Sequence, residues 1–465
     1  MTPDVLLVLP AGVPWVLAAV LAFLDGRKRW VGLLGAAGLA ASLLSLAWLA
    51  LVVLRKGTVE TVAGGWPEGV GISLRADALG VTFAAISVAV ILFSMLYEVA
   101  LGVRWRTLPP LVLLVAAGLN GLFLTGDIFN FYVFFEISMT ASFVLAGYRE
   151  EDFQVRAAFV FAVVNLLGSV VFLIGISGLY SITGSLDMAE VAARADALEP
   201  SSVIVVAAVI FAAFCLKLGL FPFHFWLPAV YVGSHPPVAA ILSGALANIG
   251  GYGLLRFGAG LMPRELALGS AAVIVLGTAS IVYGGLQAIS RRDTSEVMAY
   301  SAIGQVGYIL LALGVGGPVG FTAAVLYSVV NSLNKGVVFL AAGLRGPLVG
   351  AAFAVGAFSI AGVPPAAGFL GKVAVFKAAL AEGSPLTGAA LVALVFVGSA
   401  LSFLYSFQVY QRRFLAPGRP EKPGPLAARL PVFFLAAILL LLGLWPEPLV
   451  YLSEAAAGAL MERGG

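Results

Sequence analysis

A single cysteine, Cys215, in 465 residues leaves no partner for a disulfide within the chain and no set of thiolates for a zinc or iron–sulfur centre. Set in an apolar run, its thiol reads as a small packed side chain. Histidine is nearly as scarce, with His224 and His235 alone. Charge is scarce too: 11% of residues are charged and the net charge is +3, without the basic cluster that would grip nucleic acid. Neither a metal-ligand cluster nor a dinucleotide-binding glycine pattern after a strand is present, so no cofactor is expected. The basic stretch that opens a cleaved signal is missing as well. Asp4 lies ahead of the first apolar run, residues 3–24, which reads as a retained helix.

What remains is hydrophobic. With 61% apolar residues, a mean hydropathy of +1.06 and repeated apolar runs long enough to span a bilayer, the sequence predicts an all-α, multi-pass membrane protein. About fourteen transmembrane helices are expected, the third at 78–100, the fifth at 128–148, the eighth at 236–259 and the last at 430–450. The seventh, 203–226, meets Pro222 and is followed by Pro228. The twelfth, 350–382, is too long for one straight crossing and carries Val363-Pro364-Pro365-Ala366-Ala367-Gly368 in its middle. Both read as broken helices, because proline frees backbone carbonyls that lipid cannot satisfy and only protein or a wet cavity can.

Two broken helices five apart predict two inverted five-helix repeats, helices 4–8 and 9–13, with a site at the midplane. The expected division of the single integral membrane domain, 1–465, is 1–107 for three N-terminal helices, 108–260 and 261–410 for the repeats, and 411–465 for a cytoplasmic loop and C-terminal helix. Loop charge sets the orientation. Arg27, Lys28 and Arg29, Arg104 and Arg106, Arg291 and Arg292, and Arg412 and Arg413 fall on one side, against a sparser set (Arg55, Lys56, Arg75, Arg194, Arg256 and Arg264) opposite. Both termini are therefore expected on the outer side. The 55 glycines are most simply close helix packing.

Four of the seven lysines, Lys217, Lys335, Lys372 and Lys377, lie inside apolar stretches, while all nineteen arginines fall in or beside predicted loops. A buried lysine can give up its proton near neutral pH and an arginine cannot, so the intramembrane cations are the titratable kind. Lys217 is five residues before Pro222 and Lys372 seven after Pro365, which places both beside the breaks. Glu136 lies about eight residues into the fifth helix, at a depth where an ionised carboxylate needs a partner or water. Lys217 is the expected partner. Lys377 reads either as a relay group or as a cation reaching outward toward Glu382. Asp127 is expected to cap a helix, and His224 and His235 to lie near the inner surface as candidate proton relays.

Gly126-Asp127-Ile128-Phe129-Asn130 with Tyr132-Val133-Phe134-Phe135-Glu136, Lys217 followed by Phe221-Pro222-Phe223-His224-Phe225-Trp226-Leu227-Pro228, Ala299-Tyr300-Ser301 with Gln305-Val306-Gly307-Tyr308, and Ala361-Gly362-Val363-Pro364-Pro365 with Gly368-Phe369-Leu370-Gly371-Lys372 occur in that order. Together they resemble the antiporter-like subunits shared by Mrp-type sodium/proton antiporters and the membrane arm of complex I, over about residues 75–410. The wording around Glu136 is most similar to the D-type subunits of Mrp antiporters and their relatives in membrane-bound hydrogenases. The resemblance implies a cell-membrane subunit that works with other membrane subunits, exchanges sodium for protons and has no cofactor of its own. It also implies an ion pair of Glu136 and Lys217, a central Lys335 and a terminal Lys372.

Two positions depart from the family pattern. Asn248 stands where a lysine is usual on the eighth helix, and Asn331 where a histidine usually precedes the central lysine by four residues. Asparagine bonds water but holds no transferable proton. The expected route is thus Glu136, Lys217, Asn248 and Asn331 with water, Lys335 and Lys372. Two alternatives stay open: a structural membrane-arm subunit that no longer conducts, and a proton pump powered by the redox chemistry of a hydrogenase or NADH:quinone oxidoreductase type complex.

Overall fold

The computed structural model describes residues 3–66, 71–148, 151–198, 200–381, 385–415 and 424–461. It opens with α1 (Pro3–Ala22), α2 (Arg29–Lys56), an antiparallel hairpin of β1 (Val59–Val62) and β2 (Ser73–Ala76), and α3 (Ala78–Leu101). Then come α4 (Leu108–Phe123), α5 (Ile128–Ala146), α6 (Asp152–Thr183), the short α7 (Met188–Asp196), α8 (Pro200–Leu218) and α9 (Leu227–Gly233). Next, α10 (Pro236–Ile241) and α11 (Asn248–Gly253) are joined and extended by π-helical turns at Leu242–Leu246 and Leu254–Leu261 into one rod. The rest is α12 (Pro263–Leu268), α13 (Ser270–Ser290), α14 (Thr294–Val315), α15 (Gly317–Ala342), α16 (Pro347–Ala361), α17 (Gly368–Leu380), α18 (Pro385–Tyr410), α19 (Leu426–Leu444) and α20 (Glu447–Met461).

Among the described residues, twelve helices are long and apolar enough to cross a membrane, and Leu108–Phe123 and Pro347–Ala361 are shorter apolar helices. The chain is an integral, multi-pass membrane protein. The Pro236–Leu261 rod, α14 and α15 are almost wholly enclosed by the other helices and form the central layer. Asp77 and Asp127 begin α3 and α5 by accepting hydrogen bonds from Gly80 N (2.9 Å) and Asn130 N (2.6 Å), so Asp127 has the capping contact expected of it.

Both anticipated breaks occur, and their loose backbone groups find partners. α8, in the segment expected as the seventh helix, stops at Leu218, because Gly219 turns the chain with φ +63° and Pro222 supplies no N–H. There Trp226 Nε1 donates to Leu216 O (3.3 Å) and Phe221 N donates to Ser280 Oγ (3.1 Å). α16, in the segment expected as the twelfth helix, stops at Ala361, with Gly362 at φ +80°. Across its gap Ala367 N donates to Leu439 O of α19 (3.0 Å) and Gly368 N to Ser359 Oγ (3.0 Å).

Three features differ from expectation. The last crossing is not a single 430–450 helix: α19 ends at Leu444, and α20 starts after Pro446 and packs on α15 and α3. The β1–β2 hairpin is too short and polar to leave a hydropathy signal. Arg256, expected beside a loop, is buried within the Pro236–Leu261 rod.

Glycine brings α13 and α14 into backbone contact. A Cβ on Gly284 would sit 2.4 Å from Gly304 N, and one on Gly307 would sit 2.4 Å from Gly277 O. Gly284→Ala is expected to destabilise the protein by about 1–3 kcal/mol, read as a lowered thermal transition in detergent. Gly12→Ala, whose added methyl would meet only Val8 Cγ1 at 3.5 Å, is the matched control and leaves the transition in place.

Candidate proton-translocation site

Lys217, in the last turn of α8, points toward α5 and α6. Its Nζ donates to Asn165 O (2.8 Å) and Ser169 Oγ (3.3 Å) and lies 4.0 Å from the centre of the Phe135 ring. A carbonyl, a hydroxyl and a ring face together replace part of the hydration an ammonium loses in the membrane. Glu136, next to Phe135, interacts electrostatically with Lys217 without forming a salt bridge, and its Oε1 is buried with no hydrogen-bond partner. The expected contact pair is thus a separated pair. Beside it, Lys217, Asn165, Trp226 and Tyr231 line a small space of ≈ 20 Å³, room for about one water.

Asn248, at the start of α11, lies between α3 and α15. Its Nδ2 donates to Ser87 Oγ of α3 (3.0 Å) and to Gly244 O (3.2 Å), while its Oδ1 accepts from Ser332 Oγ of α15 (2.9 Å). The π-helical turn at Leu242–Leu246, one residue before α11's cap, widens the rod at this level. On α15, Asn331 and Lys335 are buried one turn apart, and Asn331 Oδ1 and Asn334 Oδ1 lack hydrogen-bond partners.

Lys372, early in α17, is buried with its Nζ 3.3 Å from the centre of the Tyr308 ring and 5.8 Å from that of Tyr327. Its nitrogen has no hydrogen-bond partner. The tyrosines belong to a wider network in which Tyr327 Oη donates to Gln305 Oε1 and Gln305 Nε2 donates to Tyr405 Oη (3.1 Å) and Ser402 Oγ (3.3 Å). Gln305 and Tyr308 stand in the quoted motif, but tyrosines at helical spacing read as core until a cation is found above them.

The remaining candidates are scattered. Lys377 is exposed and lines an outer crevice of ≈ 510 Å³ together with Glu454 of α20, whereas Glu382 lies outside the described residues. His224 stacks between Phe221 and Tyr283, with ring centres 5.6 and 4.4 Å away. His235 is buried with Nδ1 3.2 Å from Glu98 Oε2. Glu98 escaped the sequence reading although it is a carboxylate inside an apolar run, the same signal that marked Glu136.

A second buried charge cluster lies at the start of α3. Arg256 Nη2 donates to Asp77 Oδ1 (2.8 Å), Nη1 is 2.7 Å from Oδ2, and Nε donates to Tyr252 Oη (3.1 Å). Tyr252 in turn donates to Phe123 O (3.1 Å), so the cluster ties the rod to α3 and α4.

Residues 125–402 match the family model described as NADH:quinone oxidoreductase/Mrp antiporter, transmembrane. The D-type subunit of a Na(+)/H(+) antiporter from Alkalihalophilus pseudofirmus is 29% identical, over 98% of this chain and 97% of its own length. A chain in the structure of the Mrp complex from Dietzia sp. superposes with a TM-score of 0.92 at 28% identity, covering 99% of this chain and 98% of that one. A chain of the membrane-bound sulfane sulfur reductase, an archaeal respiratory membrane complex, gives 0.90 at 26% identity, with 98% of each chain covered.

Removing Arg256 leaves the buried Asp77 carboxylate with only Arg75 Nε, 3.7 Å away, and the Gly80 N–H. Arg256→Ala is expected to cost about 3–5 kcal/mol, measured as lost thermal stability, and the added Asp77→Asn change should recover part of it.

Proposed function

The chain belongs to the NADH:quinone oxidoreductase/Mrp antiporter transmembrane family, and on that premise we propose that it is the proton-translocating subunit of a multisubunit sodium/proton antiporter. It sits in the cell membrane among other membrane subunits, which accords with the antiporter and respiratory complexes that contain its structural neighbours. Protons, and sodium moved by the wider complex, are the transported species.

The observation that carries this reading is the set of three buried amines, Lys217, Lys335 and Lys372, together with Asn248, which is hydrogen-bonded to serines of α3 and α15. Glu136 sets the charge of the first half. A proton that reaches or leaves Lys217 alters the field at Glu136, and a buried charge left without its counter-charge is costly enough to drive the next transfer. Asn248 and Asn331 hold no proton themselves. They bind water and hydroxyl groups that carry it past them to Lys335 and on to Lys372.

We count fourteen crossings, adding α4 and the paired α16 and α17 to the twelve longer ones. The repeats are helices 4–8 and 9–13, over 108–260 and 261–410, after three N-terminal helices (1–107) and before the C-terminal 411–465. A shared arrangement supports the inverted repeat. The lysine of each broken helix sits on an aromatic ring from the helix two crossings earlier, Phe135 at 4.0 Å for Lys217 and Tyr308 at 3.3 Å for Lys372. With Arg256 taken out of the outer loops, the basic bias toward one side is steeper, and both termini are assigned to the outer side.

Lys217→Ala is expected to reduce sodium-dependent antiport in everted vesicles by about 10²-fold or more while the complex still co-purifies. Unaltered transport by an assembled mutant complex rejects the assignment. Identification of the co-purifying subunits completes the test: partners bearing redox centres would replace the antiporter with a redox-driven pump.

A further inference from the structure

One face of α3 is polar from its inner end to its middle. Glu98, Ser94 and Ser87, four and seven residues apart, are each buried and share one side of the helix. At the middle, Ser87 Oγ accepts from Asn248, which is bonded in turn to Ser332. At the inner end, Glu98 Oε2 faces His235 Nδ1 at 3.2 Å, off the hydrogen-bond axis, so that neither atom has a hydrogen-bond partner. The rod lies against this face: Gly244 approaches Val90 of α3, and Ser243 beside it has a buried hydroxyl without a partner. Polar groups thus recur along this interval at Glu98, Ser94, Ser243 and Ser87, with Ser94 Oγ donating to Val90 O (2.8 Å), and water would have to bridge from one to the next.

The inner end is also where the cluster comes nearest to the loops. Trp105, in the loop after α3, meets His235 edge-on with ring centres 6.0 Å apart. Ser234 and Tyr97 add two more buried hydroxyls without partners, and a Cβ added to Gly343, at the end of α15, would meet Tyr97 Oη. The facing charge is Arg413, which acts on Tyr97 and whose guanidinium donates to Ala342 O and Leu344 O.

We propose that Glu98 and His235 form an inner-side proton port for the second half of the protein, exchanging protons between inner water and Lys335 along Ser94, Ser87 and Asn248. The proposal rests on the proton-translocation reading above. Its chemistry follows from the pairing. With one proton between them, imidazolium with carboxylate and imidazole with carboxylic acid have the same net charge, so a rotation that brings the two atoms into line, or a bridging water, lets the proton shift without stranding a buried charge. The serine hydroxyls both donate and accept, which suits them to relay it. In this arrangement α3, outside the two repeats, supplies a wall of the pathway.

The test uses the assembled complex in everted vesicles, with antiport followed from neutral to alkaline pH. Glu98→Gln is expected to lower the rate by about 10²-fold, His235→Gln to displace the pH profile, and Glu98→Asp to restore both rate and profile. A pair that merely tied α3 to the rod would leave the profile of any assembled variant unmoved. Wild-type rate and profile in Glu98→Gln, with Glu136→Gln inactive, overturn the port and leave the parent reading standing. Normal transport in both variants overturns the parent reading as well. If Glu98→Gln fails to assemble, an unchanged profile in both Glu98→Asp and His235→Gln overturns the port, and a displaced profile in His235→Gln supports it.

Discussion

An ammonium group inside hydrocarbon has no water to replace the hydration it gave up, and the surroundings of Lys217 and Lys372 are organised by that deficit. Lys217 takes a carbonyl, a hydroxyl and an aromatic face; Lys372 takes aromatic faces within a hydroxyl network. None of these is a full counter-charge in contact with the amine. Such partial solvation holds a proton without trapping it, which a tight salt bridge would do. Arginine at either position would stay charged throughout. The contrast with Arg256 is instructive, because there a guanidinium lies directly against both oxygens of Asp77 and the cluster serves as a fixed tie between helices.

The two halves solve the same problem differently. Only the first has a carboxylate one residue from the ring beneath its lysine; the residue after Tyr308 is Ile309. Lys372 depends instead on tyrosine faces and the glutamine bonded to them, which are neutral. Between them Asn248 bridges α3 and α15 through two serines. That bridge keeps the junction polar while leaving it without a titratable group of its own.

Much of the fold was legible because lipid imposes length. Apolar runs and prolines marked the crossings and both breaks, and Lys217 and Lys372 stood out as charges beside them. The parts that stayed hidden depend on contacts between distant residues. Glu98 and His235 meet across the α3–rod interface, and Asp77 and Arg256 are 179 positions apart. Arg256 was misread because the expected eighth helix, 236–259, puts it within one turn of the end, whereas π-helical turns carry the helix to Leu261 with the guanidinium turned inward. The tyrosines under Lys372 were hidden by their ordinariness, since aromatic side chains at helical spacing usually mean packing. The separation of Glu136 from Lys217 is a matter of rotamers and ångströms, below the resolution of any spacing argument.

The gap between α16 and α17 is closed by a helix from much further along the chain. Ala367 N bonds Leu439 O, and Gly443 lies so close to Pro365 O that a Cβ there would be 2.0 Å away. The strap that fastens this gap is α19, near the end of the chain. During synthesis Lys372 emerges from the ribosome long before the helix that secures its surroundings. A nascent chain therefore lacks the strap over this gap until α19 has been made.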